Sequence, residues 1–300
     1  KSILNLNNFE LTYNTKKISR FVSYNLQQEF LFYNILIKIY YFYLFKVYFN
    51  KNKFSSKCFY IHENQPWEKS LIYHWRKNNK NKIYGVINSS VRFWDLRFQK
   101  SQISPDYLLT NGDDSHEKAL NFGYDRDELI KVESLRYKNT KKPLFNKYKN
   151  SILIVLDYSN KSNSALIEIL NEIIDLSKYQ IFFKEHPLNK NKNFKTIFSY
   201  EIIENNKQFE DYDLVICTNK TAVSIDYFSK GYNVAILKES NFFNFSPLKD
   251  NQYCSFFRNS RELLNIIKSM NEKKTKRYKT NFFLIDIEYK KWKNLLNERE

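Results

Sequence analysis

Residues 179–187 read YQIFFKEHP, and residues 213–237 read DLVICTNKTAVSIDYFSKGYNVAIL. The first is a hydrophobic strand that stops at a charged, rigid corner. The second is a complete unit: strand Asp213 to Thr218, a helix opened by Asn219-Lys220-Thr221, Gly231 to close it, and a strand from Asn233 to Leu237. Strands alternating with helices of this length give βαβ units and a parallel sheet. Lys184, Glu185, His186, Thr218, Asn219 and Thr221 then fall at the C-terminal edge of one sheet. That edge is where open α/β sheets bind ligands.

Working outward, the same alternation runs through most of the chain. Cys58 to His62 reads as a strand and Pro66 to Asn78 as a helix, with Pro66 in its first position and Glu68 in its first turn. Ile83 to Ile87 is a strand, and Val91 to Phe98 (VRFWDLRF) is a loop rich in charge and aromatics. Strand Tyr107 to Thr110, helix Asp114 to Asn121 ending near Gly123, and strand Leu129 to Val132 follow. The stretch 136–150, RYKNTKKPLFNKYKN, is polar, holds Pro143 and lacks periodicity, so it reads as a linker. Beyond it come strand Ile152 to Leu156, helix Ser164 to Ser177 and strand Gln180 to Phe183. After the second quoted unit, Arg261 to Met270 is a helix, and Ile285 to Asn297 is an amphipathic segment expected to pack back as a helix. The predicted organisation is an N-terminal Rossmann-like domain over 1–140, a linker over 141–150, a second Rossmann-like domain over 151–284 and a C-terminal helix over 285–300.

With 49 Lys and Arg against 32 Asp and Glu, the formal net charge is +17. Clustered cations of that number suit phosphates. Here the lysines are scattered or sit in Asn/Lys loops, alongside abundant Ile, Phe and Tyr, as in proteins of AT-rich genomes, and no RNA-binding signature with interleaved aromatics is present. Affinity for anionic membrane surfaces or phosphate-bearing ligands is the expectation that the charge leaves. Cys58, Cys217 and Cys254 lack metal-ligand spacing and read as free thiols of a reducing cytoplasm. No signal peptide is visible, and a chain starting at Lys1 rather than Met reads as a fragment or a trimmed protein. Phe30 to Phe49 has the length of a membrane span but contains Asn34, Lys38, Lys46 and many tyrosines. A core or amphipathic helix is expected there, with a surface resting on a membrane as the alternative. Four glycines rule out a dinucleotide fingerprint or a P-loop. No metal site is expected: Asp113-Asp114 lies in a capping turn (NGDDS), and His62, His74 and His116 share no ligand spacing.

In their order and spacing, several segments resemble GT-B-type glycosyltransferases, and more narrowly bacterial surface-carbohydrate biosynthesis proteins of that fold. They are residues 62–68 (HENQPWE), VRFWDLRF, Asn111-Gly112 with Gly123-Tyr124, Ser134-Leu135-Arg136-Tyr137 and the two quoted units, together covering roughly residues 58–237. His186-Pro187 resembles the HP motif of sialyltransferase-like and ulosonic-acid transferases. The resemblance implies an α/β fold of two Rossmann-like domains whose parallel sheets face a central cleft, with a nucleotide-sugar donor on the C-terminal domain. One departure stands out: the family pattern has a histidine near Asn88, where this chain reads Gly85-Val86-Ile87-Asn88-Ser89.

A donor phosphate suits a helix N-terminus with free N–H groups. Thr218, Asn219 and Thr221 offer further donors and Lys220 a charge, although plain N-capping explains the same residues. A phosphate beside His186 favours the charged imidazole, stiffened by Pro187; a histidine held by a backbone carbonyl is the alternative. Lys184 and Glu185 either pair with each other or bind ribose. Asp226 occupies the place of a ribose-binding carboxylate in related transferases, or is a solvated helix residue. Glu63 ends a strand, where a carboxylate serves as general base, as nucleophile, or merely as a helix cap. Asn64 and Gln65 flank it on the acceptor side. Arg92, Asp95 and Arg97 either hold an anionic group by forked hydrogen bonds or form a loop-fixing salt-bridge cluster.

The expected protein is a cytoplasmic, membrane-surface-associated glycosyltransferase needing no cofactor or metal. It would move a sugar from a CMP-linked ulosonic acid, or else from a UDP- or GDP-sugar, to a polysaccharide or glycolipid. A non-catalytic subunit of the same fold, a sugar-nucleotide epimerase and a basic nucleic-acid binder are the alternatives.

Overall fold

The computed structural model describes residues 12–13, 16–17, 34–54, 56–79, 81–93, 95–137, 150–189, 195–203, 212–239, 243–249, 251, 253–272 and 282–297. The expected linker, apart from Asn150, and Trp94 lie outside the described residues. By its contacts the chain forms two compact units, Lys1–Val86 with Arg97–Leu108, and Ile87–Leu96 with Leu109–Glu300.

In the first unit, β1 (Thr12–Tyr13) and β2 (Lys16–Lys17) form a small antiparallel pair. Helix α1 (Asn34–Lys51), strand β3 (Cys58–Ile61), helix α2 (Pro66–Asn78) and strand β4 (Ile83–Val86) follow. β3 and β4 pair in parallel, as a βαβ unit requires. Pro66 starts α2, where its missing N–H costs nothing. The helix buries Leu71, Ile72 and Trp75 in a core with Phe49, Tyr60 and Ile83. The Trp75 indole N–H is satisfied by the Asn81 carbonyl at 2.8 Å. Helix α1 departs from the expectation of a core or amphipathic helix. Among its described side chains only Phe49 is fully buried, and apolar side chains occupy its outward face as well as its inward one. Its apolar residues lie all round the circumference, with Lys38, Lys46, Asn50 and Lys51 scattered among them, so no single polar side exists to turn outward. Among the described residues, no helix is long and apolar enough to cross a membrane.

The remaining elements are β5 (Tyr107–Thr110), α3 (Asp113–Asn121), β6 (Leu129–Lys131), β7 (Ser151–Val155), α4 (Asn160–Asn171), β8 (Gln180–Lys184) and β9 (Glu201–Ile202). After them come β10 (Leu214–Thr218), α5 (Val223–Ser229), β11 (Val234–Leu237), β12 (Ser255–Phe257), α6 (Ser260–Glu272) and α7 (Lys290–Asn297). The strand orders are β3-β4-β5-β6 in one sheet and β12-β11-β10-β7-β8-β9 in the other. Every pairing of the six-stranded sheet is parallel. β7 and β10 are buried along their whole length, as strands covered by helices on both faces must be. Ile152, Ile154, Phe183 and Ile216 face Leu166 and Leu170 of α4, while Leu153, Val155, Phe182 and Cys217 face Ile225 and Phe228 of α5.

Four boundaries differ most from the sequence-based expectation. Helix α4 starts at Asn160 rather than Ser164, because the Ser159 side chain accepts the Ser162 N–H and caps it there. It ends at Asn171, and Ile174–Lys178 is a separate 3-10 turn. Helix α5 starts at Val223 rather than Thr221, because the Thr221 hydroxyl accepts the Val223 N–H in a turn of its own. Among the described residues of the C-terminal segment, only Lys290–Asn297 is helical. The segment before it turns at 287–288, with Tyr289 in the left-handed region at φ 52°.

That C-terminal segment is tied to the strand ends of β5 and β6. Leu284 N–H donates to the Asn111 carbonyl and Ser134 N–H to the Leu284 carbonyl, both at 2.8 Å. The buried Glu133 carboxylate accepts the N–H groups of Lys291 (2.9 Å) and Trp292 (3.2 Å) at the start of α7. The Trp292 indole N–H donates to the Glu133 carbonyl at 2.7 Å. Gly112 is fixed by this contact: a Cβ there would lie 1.9 Å from the Phe282 carbonyl oxygen.

Candidate functional site

The six-stranded sheet reverses its winding between β7 and β10: from β7 the chain moves out through β8 and β9, then returns to β10 on the other side. A crevice outside the C-terminal ends of strands is expected at such a switch point. The residues at and just beyond those two strand ends converge. Thr218 Oγ1 donates to Asp157 Oδ2 at 2.6 Å, and both residues are buried. The other Asp157 oxygen accepts the Ser159 N–H, and Asn163 Oδ1 accepts the Asp157 N–H at 2.9 Å. Lys220 Nζ reaches Ser162 Oγ, in the first turn of α4, at 3.1 Å.

The corner after β8 joins the same group. His186 C=O accepts the Asn189 N–H at 2.9 Å, so Pro187 takes the second position of a tight turn that suits its fixed φ. Asn189 Nδ2 then donates to the Tyr158 carbonyl (3.1 Å) and to Asn160 Oδ1 (2.6 Å). The His186 ring lies 6.1 Å from that of Tyr158. Its Nδ1 accepts the Leu188 N–H at 3.2 Å, which assigns the hydrogen of the neutral ring to Nε2. Loops after β7, β8 and β10 are thus laced together by side chains. Asp157, Ser159, Ser162 and Asn189 in this lattice were not singled out from the sequence. The detectable signal was the Asp157–Ser159 pair closing the hydrophobic run that begins at Ser151, hidden by starting the following helix too late.

The other expected donor-side residues take several places. Asn219 is buried, with Nδ2 3.4 Å from the Phe243 carbonyl and Oδ1 without a hydrogen-bond partner among the described residues. Thr221 spends its hydroxyl on the Val223 N–H and its carbonyl on Ser224 Oγ. Lys184, the last residue of β8, is buried, and its ammonium lies 5.8 Å from the Tyr227 ring centre. Burial pushes its pKa down, against the nearby Asp226 carboxylate. Asp226 is half-buried in α5, and burial pushes its pKa up against the charges of Arg136, Lys230 and Lys184. Lys230 is pushed down to about 8, chiefly by burial, with Asp226 opposing. Lys184 therefore neighbours Asp226 rather than pairing with Glu185, whose Oε1 is buried without a hydrogen-bond partner among the described residues.

In the first unit, the end of β3 is organised around Glu68 rather than Glu63. The buried Glu68 carboxylate accepts the backbone N–H of Glu63 (3.1 and 3.2 Å) and that of Asn64 (2.8 Å). This holds Asn64 in the left-handed region at φ 55°. The Glu63 side chain is exposed, and Gln65 caps α2 through its backbone without a side-chain bond. His62 is buried beside this turn. Its Nδ1 lies 2.9 Å from Tyr60 OH and 3.5 Å from Glu68 Oε2, while Nε2 is buried without a hydrogen-bond partner among the described residues. Arg97, also in this unit, is exposed and lies 5.9 Å from the Phe98 ring. In the second unit, Asp95 is buried and its N–H donates to the Arg92 carbonyl at 3.0 Å; Arg92 is half-buried. Among the described residues, no three His, Cys, Asp or Glu side chains are grouped to hold a metal ion. The three cysteines are free thiols, with burial pushing Cys58 up to about 11 and Cys254 up to about 12.

No family model matches the chain, and no curated protein sequence matches it. Among solved structures it is similar to the apo form of the lipopolysaccharide outer core galactosyltransferase WaaB. The TM-score is 0.52 at 10% identity, covering 87% of this chain and 80% of that one. It is also similar to a UDP-N-acetylglucosamine 2-epimerase (TM-score 0.51, 12% identity, 88% and 79% covered). A third is Arabidopsis thaliana UGT89C1 complexed with quercetin (TM-score 0.51, 7% identity, 80% and 68% covered). At these identities the likeness is one of fold. The chain has the α/β architecture of two Rossmann-like halves with parallel sheets that GT-B proteins share.

Proposed function

We propose that the protein is a glycosyltransferase that binds a nucleotide-activated sugar at the switch point of its six-stranded sheet. Its acceptor would be a surface polysaccharide or a glycolipid, met at the inner face of the cytoplasmic membrane. The observation that carries this reading is the side-chain lattice joining Asp157, Thr218, Lys220 and the His186 corner at the sheet edge. Lys220 holds its ammonium over the first turn of the 12-residue helix α4, whose N-terminus attracts negative charge. A diphosphate or phosphodiester seated there would gain a lysine charge and a donor from His186 Nε2. Glu185 and Asp226 are the carboxylates assigned to ribose hydroxyls, and Lys184 supports Asp226. Thr218, Asn219 and Thr221 shape the floor, with Pro187 stiffening the corner. Glu63, Asn64, Gln65, Arg92, Asp95 and Arg97 are assigned to the acceptor side, with Glu63 as the carboxylate that activates the acceptor hydroxyl. The cations of the chain itself supply the positive charge, so the reading calls for no cofactor and no metal. The likeness to a galactosyltransferase fold supports it.

A CMP-linked ulosonic acid is the first choice of donor because of the HP corner, and a UDP- or GDP-sugar the second. Calorimetry with CMP, UDP and GDP tests the site. One of the three should bind, and Lys220→Ala should weaken it about tenfold or more, the worth of one charged hydrogen bond. If none binds, or if both Lys220→Ala and His186→Ala leave affinity unchanged, the donor site is wrongly assigned. The likeness to an epimerase fold favours a second reading, a sugar-nucleotide epimerase. Incubating the protein with donor alone separates the two: an epimerase forms a new sugar nucleotide, whereas a transferase turns over only when acceptor is added.

A further inference from the structure

We infer that α1 is a docking element that lies flat in the interface of an anionic lipid bilayer. Leu36, Ile39, Tyr40, Tyr43 and Val47 are spaced so that they share one stripe of the helix. That stripe faces outward: Leu36 is 58% exposed, Tyr40 63% and Tyr43 56%. The opposite stripe, through Phe45 to Phe49, anchors the helix on the core of the first unit. Phe42 extends the anchor, its ring 4.6 Å from that of the buried His74. From Leu36 to Val47 this surface runs for about 17 Å along the helix. Isolated exposed apolar residues need no explanation, but a continuous apolar stripe of this length marks an interaction surface.

The charges around the stripe choose the occupant. From Phe30 to His62 the sequence has no Asp or Glu and five lysines, Lys38, Lys46, Lys51, Lys53 and Lys57. Lys46 holds its ammonium 5.5 Å from the Tyr43 ring, at the border of the stripe. A second copy of the chain would bring the same lysines face to face. Anionic headgroups instead neutralise them, while the aliphatic side chains enter the acyl boundary and the tyrosines sit with their hydroxyls at headgroup depth. The inference draws on the glycolipid-acceptor reading only for its use, since a transferase of that kind would need to reach the surface that carries its acceptor.

Co-sedimentation of the full chain with vesicles tests it, using phosphatidylcholine alone and phosphatidylcholine mixed with phosphatidylglycerol. Binding should be about tenfold or more tighter to the anionic vesicles and should weaken as salt is raised. Replacing Leu36, Ile39, Tyr43 and Val47 together by Ser should lower partitioning at least about tenfold, with an unchanged circular dichroism spectrum. Lys46→Glu with Lys51→Glu and Lys53→Glu, all at exposed positions, should abolish the preference for anionic vesicles and keeps the question answerable if the serine variant does not fold. Equal partitioning of wild type and both variants would overturn the inference. So would a dimer, seen by light scattering, that the serine variant converts to monomer while no form binds vesicles. Calorimetry with CMP, UDP and GDP on the same preparations separates the two proposals: nucleotide binding without vesicle binding removes only this one.

Discussion

Thr218 and Asp157 show how a single hydroxyl can change role between sequence and structure. Read along the chain, Thr218 is a donor waiting at a strand end; in space its hydrogen is already committed to Asp157 across 2.6 Å. It positions the carboxylate, and in the proposed donor site recognition would fall to Lys220 and His186. Replacing Thr218 by Val keeps the volume but leaves a buried carboxylate oxygen short of a donor, which should cost about 1–3 kcal/mol. Urea unfolding should report that loss as a lower midpoint with an unchanged slope, and a neutral result would mean that Asp157 has another donor. The strand-end positions themselves were legible, because a buried parallel strand must be apolar until it leaves the sheet. The partnership was not, because 61 residues separate its members and no local pattern links a serine-capped loop to a distant threonine.

Between elements, the contact of α1 with α2 contains a titratable group under strain of burial. The His74 ring lies 4.6 Å from that of Phe42 and 5.0 Å from that of Tyr73, and neither ring nitrogen has a hydrogen-bond partner among the described residues. Its pKa is pushed below its ordinary 6.5, first by burial and then by Lys77 and Lys46. The unfolded chain therefore takes up this proton more readily than the folded one. The associated stability is fully present above pH 6.5 and is lost as pH falls below that value towards the folded pKa. Thermal melts should show a downward trend over that range, and His74→Phe should flatten it. A slope unchanged in the variant would assign the trend elsewhere. At this scale the sequence was most readable where a cap or a proline punctuates it, as at α2. It was least readable in α4, where Ser159 rather than Ser164 opens the helix, and in α1, whose apolar residues recur all round the helix and carry no period to say which side faces out.

At the level of the molecule, parallel sheets and alternating βαβ units were foreseeable from periodicity, and the solved structures of similar fold agree with them. The lacing of the C-terminal segment was not foreseeable, because it depends on Glu133, an ordinary acidic residue in sequence. Its buried carboxylate acts as the cap that α7 lacks locally. Glu133→Ala should uncap the helix at a cost of about 1–2 kcal/mol and speed hydrogen exchange across 290–297. Exchange as slow as in the wild type would mean that the indole of Trp292 and the Leu284 bonds hold the segment alone.

The Gly112 contact has a consequence for how the protein is made. Asn111, Gly112, Glu133 and Ser134 emerge from the ribosome long before residues 282–292, their partners. During synthesis, the strand ends at 111–134 must wait, with their carbonyls and carboxylate in water, until residues 282–292 have been translated. Completion of that edge cannot precede the synthesis of Phe282, and a nascent chain stalled before that residue would expose it to chaperones and proteases.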